Sequence, residues 1–190
     1  MTTWLGTGHT STSRVMVAVA LGIGLAFGGF WTFFICAEIV SDPGGWAGVL
    51  WAAAVVVPML VLSVLAWWVP RVATWILGAL VGVFVVGNIV TAFFGTQWAG
   101  FEETHGPVGL VASLALSVPC VVLGRTRPLI ASVFLLAATL VTIGVAFASL
   151  IGIRGMVGLA VLTVDLPFIA TAVLLLTAAV LERPERRDVQ

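Results

Sequence analysis

The sequence predicts an all-α integral membrane protein, a bundle of six transmembrane helices joined by short loops. Three observations lead there. Of 190 residues, 61% are hydrophobic and 8% are charged, whereas soluble domains devote about a quarter of their residues to charge. So few charges cannot cover a water-facing surface, and the mean hydropathy of +1.22 agrees. The apolar residues also fall in runs of membrane-crossing length, and the arginines sort to one side of the topology those runs imply.

A helix needs about 20 apolar residues to cross a hydrocarbon core of about 30 Å. Residues 15–40, 46–69, 72–94 and 129–153 meet that length, and residues 108–123 fall somewhat short of it. The first run is too long for a signal-peptide core and lacks a small-x-small cleavage site after it, so it is expected to stay in the membrane. The last run, 157–181, contains Asp165. Inserting that carboxylate at mid-membrane costs about 2.5–3.5 kcal/mol, offset by the surrounding Leu, Ile, Phe and Val at a few tenths each. The chain thus divides into a flexible N-terminal tail (1–14), one transmembrane domain (15–181) and a charged C-terminal tail (182–190).

Orientation follows from arginine, because short basic loops stay cytoplasmic. Six spans place Arg14, Arg71, Arg125, Arg127, Arg183, Arg186 and Arg187 on one side, and Arg154 with Glu38, Asp42, Glu102 and Glu103 on the other. Dropping the span at 108–123 would destroy this bias, so six spans with both termini cytoplasmic are expected. Trp67, Trp68 and Trp75 flank the inner turn, and Trp46 and Trp98 the outer loops, as amphipathic rings prefer. The absence of lysine, together with abundant Ala, Val and Gly, indicates a GC-rich bacterial genome and hence the inner (plasma) membrane. With zero net charge and scattered arginines, the chain has no concentrated basic face for nucleic acid. The bilayer is the expected partner, leaving room for a homo-oligomer or a larger membrane complex.

Helices in lipid associate through close approach at small residues. The first span carries Ala20, Gly24, Gly28, Thr32 and Cys36 at four-residue spacing, the third Gly78 and Gly82, and the fifth Gly144, Ala148 and Gly152. Segments ending at Pro58, Pro119 and Pro167 also align, each with proline twelve residues after its outer start. Three duplicated hairpins would produce this pattern, and so would the chance similarity of Val/Ala/Leu-rich helices.

Candidate chemistry centres on Asp165. By helical rise it lies about 24 Å above Leu181, in the outer third of the membrane, with Asn88 at matching height. Glu38 stands higher, beneath a loop bearing Glu102, Glu103 and His105. An intramembrane ionisable group marks a functional site by default. The competing reading is structural. "TVDLP" resembles a helix start, with Asp165 as N-cap and Pro167 in the first turn, so the last span begins either near residue 157 or at Leu166. Arg154 could neutralise the carboxylate if the preceding segment folds back. Glu38, followed by Ser41, Asp42 and Pro43, reads as solvated at the interface.

Several chemistries are argued against. His9 and His105 lie outside the spans, which disfavours haem ligation and a serine–histidine pair at one depth. No H-E-x-x-H motif is present, and only one carboxylate is embedded, so there is no aspartyl dyad. Cys36 and Cys120 sit near opposite faces, roughly 25 Å apart by helical rise, so neither disulfide exchange nor a resident cofactor is expected. In span count and length the chain is similar to the substrate-binding subunits of vitamin importers, a likeness that implies no role for any residue. Two function classes remain. One is a non-enzymatic small transporter, channel-like component or membrane subunit of a larger complex. The other is a membrane enzyme working at the outer face through Asp165, Glu38 and His105.

Overall fold

The computed structural model describes residues 11–41, 45–94, 108–150 and 155–182. Among them are six helices and no strand: α1 (Ser11–Ser41), α2 (Gly45–Trp68), α3 (Pro70–Phe94), α4 (Val108–Leu123), α5 (Pro128–Leu150) and α6 (Gly155–Leu181). Five are long and apolar enough to cross a membrane, and α4 is a shorter apolar helix. Both tails and the 95–107 loop lie almost wholly outside the described residues.

Helix α6 runs unbroken through Asp165 and Pro167. This corrects the reading of Asp165 as a helix cap, because ten helical residues precede it. Proline is tolerated inside a membrane helix when its surroundings re-satisfy the backbone. Pro58 and Pro119 likewise lie inside α2 and α4. The three prolines occupy different settings: Pro58 is exposed, Pro119 buried and Pro167 half-buried.

The helices form a ring around one member. α1, α2, α3, α5 and α6 touch in that order, α6 closes back onto α1, and α4 stands inside. Every described side chain from Leu110 to Gly124 is buried or half-buried. The surface is inverted relative to a soluble bundle. Phe33 is 76% and Trp75 83% exposed, while Ala20, Ala66, Ala73, Ala131, Ala172 and Ala178 are buried. Small residues inside and large apolar ones outside suit helices whose solvent is lipid.

The α1 stripe sets the closest approaches. A Cβ added at Gly24 would stand 2.6 Å from Val121 Cγ2 of α4 and 3.2 Å from Thr171 Cγ2 of α6. At Gly28 it would stand 2.6 Å from Val118 Cγ2 of α4 and 3.5 Å from Phe168 Cζ of α6. As α1 ascends from 24 to 28, its partners descend from 121 to 118 and from 171 to 168. Helix α1 is therefore antiparallel to both α4 and α6, which run parallel to each other. Gly78 lets Phe134 of α5 approach, at 3.1 Å from an added Cβ. Gly82 and Gly144 have open space instead, so of the two glycines expected to pack on the third span only Gly78 meets a neighbour. Two close approaches were not foreseen: Gly48 against the Ile39 carbonyl, and Gly124 against Leu175 Cδ1 at 2.7 Å.

These contacts make a graded expectation. Gly28→Leu should destabilise the detergent-solubilised protein by about 1–3 kcal/mol through overpacking, read as an earlier thermal melt. Gly82→Leu should stay within about 0.5 kcal/mol of wild type. Equal melting of the two variants would contradict the α1–α4–α6 contact.

Candidate functional site

Polar side chains inside an apolar helix usually bond their own backbone, and most here do. Ser63 donates to the Met59 carbonyl at 2.7 Å, Thr139 to Leu135 at 2.8 Å, Thr142 to Ala138 at 2.9 Å and Thr171 to Pro167 at 2.8 Å. Asn88 belongs to this group. Its Nδ2 donates to the Phe84 carbonyl at 2.9 Å within α3, so its amide serves its own helix and not Asp165.

Asp165 is different. It is 1% exposed, on the face of α6 that also buries Val164, Phe168, Ala172 and Leu175, while Leu166 points outward. Its Oδ1 accepts a hydrogen bond from Ser113 Oγ of α4 at 3.3 Å. Its Oδ2 is buried without a partner, as are Ser117 Oγ and Trp31 Nε1.

These groups share one junction. Ser113 touches α6 at Asp165, and Gly124 touches it at Leu175. Between them on α4, Ser117 and Cys120 complete a row at four-, three- and four-residue spacing, which is one helix face. Ser117 therefore faces α6 one turn below Ser113. Trp31 lies one turn beyond Gly28 on α1, and Asp165 one turn beyond Phe168 on α6, so their backbones stand at similar height. Phe30 and Phe34 set the indole edge-to-face, with centroids at 5.5 and 5.7 Å. The backbones of α4 and α6 approach each other only sparsely, and the Ser113–Asp165 bond reaches across that gap.

No cation neutralises Asp165 among the described residues. Helix α5 carries no charged residue, and Arg125 lies twelve residues from Ser113, just past the end of α4 and about 18 Å away by helical rise. Arg125 instead stacks on Trp67, 3.7 Å from the ring centroid. Arg154, and with it the expected ion pair, lies outside the described residues, as do Glu102, Glu103 and His105. Glu38 is exposed. It lies ten residues beyond Gly28, whereas Asp165 lies three beyond the matching Phe168, an axial separation of about 10 Å. The structure thus does not bring Asp165, Asn88 and Glu38 together. It pairs Asp165 with Ser113, which the sequence did not single out.

Among the described residues no cluster of three or more His, Cys, Asp or Glu is poised to hold a metal, and Cys36 and Cys120 are free. No protein-family model, no curated protein and no solved structure matches the chain.

Removing one partner of a buried hydrogen bond costs more than removing both. Ser113→Ala should therefore destabilise the protein by about 1 kcal/mol. Ser113→Ala combined with Asp165→Leu should recover that loss in the same thermal-melting series, because the unpaired carboxylate is gone. A double variant melting below Ser113→Ala would show that the carboxylate itself stabilises the bundle.

Proposed function

We propose that the protein is a non-enzymatic multi-pass membrane protein: a small ion- or solute-translocating component, alone or as a membrane subunit of a larger complex. Its working centre is Asp165. The observation that carries this reading is a carboxylate buried inside an apolar helical bundle with one oxygen unpartnered. Intramembrane ionisable groups are expensive and mark ion or solute paths. The enzyme reading draws less support, because Glu38 is exposed about 10 Å along the axis from Asp165.

The proposal includes six crossings in a bacterial plasma membrane, with both termini cytoplasmic. The arginine bias supports it, and so does the course of α4, which runs antiparallel to α1 within the ring. A helix enclosed by others has less need of the length that a lipid-facing span requires.

Two measurements test this. A reporter fused at Gln190 should be active only in the cytoplasm, and one inserted within 97–106 only outside. External activity at Gln190 would reduce the count to five. In proteoliposomes, wild-type protein should carry cation or proton flux above protein-free vesicles, and Asp165→Asn should lower it at least tenfold, about 1.4 kcal/mol in barrier terms. Flux that persists in the asparagine variant removes Asp165 from the path.

A further inference from the structure

We propose that Asp165, Ser113 and Ser117 form a binding site for one monovalent alkali cation at the α4–α6 interface. The inference deepens the reading of Asp165 as the working centre by naming what it binds.

The donor set argues for the class. Every acceptor at the junction is oxygen: the Asp165 carboxylate and the hydroxyls of Ser113 and Ser117. Hard oxygen ligands without nitrogen or sulfur suit alkali and alkaline-earth ions over transition metals. The charge argues for valence. Asp165 is the one carboxylate in the described part of the bundle interior, and the charged groups of the helices packed around it are remote. Glu38 of α1 is exposed, Arg125 lies beyond the inner end of α4, and α5 has none. One negative charge matches one positive charge, and a divalent ion would leave an excess.

Two buried oxygens on the facing helices lack a partner. Asp165 Oδ2 and Ser117 Oγ are both buried and unpartnered, at 1% and 0% exposure. Elsewhere in the bundle, serines and threonines such as Ser63 and Thr139 bond their own backbone. Ser113 Oγ gives its proton to Asp165 Oδ1, which leaves its lone pairs free to ligate.

The test is thermal melting of the full chain, purified in detergent, in NaCl, KCl or choline chloride at matched ionic strength and constant pH. Binding to the folded state alone raises the melting temperature with ligand concentration. NaCl or KCl should raise it in a dose-dependent manner relative to choline, by about 5 °C at a hundredfold excess over the dissociation constant. Asp165→Asn should abolish the shift. Ser117→Ala, which removes no charge, should move its midpoint to about tenfold higher cation, a 1.4 kcal/mol loss, and keeps the test informative if the asparagine variant folds poorly. Identical melting in choline and both alkali salts overturns the proposal. So does an alkali shift retained in both variants. Binding is read here without flux, so a protein that binds Na+ but carries none refutes translocation and leaves the site standing.

Discussion

Everything in this bundle hangs on how closely α1 can lie against α4 and α6. In lipid the exclusion of apolar surface from water gives helices no reason to pair, and close contact must supply it. Gly24 and Gly28 let the valines of α4 and the Thr171 and Phe168 side chains of α6 reach the α1 backbone. Those contacts set the relative height of three helices. Further along, Asp165 meets Ser113. The polar junction is thus a by-product of a packing register made by glycine and apolar carbon atoms.

The same contact explains why the polar atoms at this level go unpaired. A serine in a lone apolar helix finds its acceptor one turn back, in its own chain. Ser117 cannot be described so, and Asp165 has only one partner for two oxygens. The sparse approach between α4 and α6 leaves their facing row to be bridged by side chains: a serine and a carboxylate at one height, a glycine and a leucine at another. Apolar atoms close the lower part of the gap and oxygen atoms the upper part.

Much of this was legible in the sequence, and the failures have physical causes. Helix existence and the contacts of Gly24 and Gly28 were readable because length and four-residue spacing are local signals. The enclosure of α4 was not. A membrane helix is apolar on all faces whether it meets lipid or protein, so amphipathicity cannot tell the two apart. Asp165 stood out as a lone charge, but "TVDLP" suggested a helix start on local propensity that the surrounding bundle overrides. Asn88 matched Asp165 in counted height, yet height along an axis says nothing about direction around it. Ser113 and Ser117 drew no notice because hydroxyls are unremarkable in such helices until their acceptors are located.

The enclosure of α4 has a consequence for how the protein meets its membrane. Bilayers differ in thickness by several ångströms, and spans exposed to acyl chains adjust by tilting or by thinning the lipid around them. Here that adjustment falls on the five outer helices. Helix α4 presents almost no surface to lipid, so a change in membrane thickness reaches the Ser113–Asp165 contact only through the tilt of its neighbours. The ring takes up that adjustment first, and it reaches the contact through α6, the ring helix that carries Asp165.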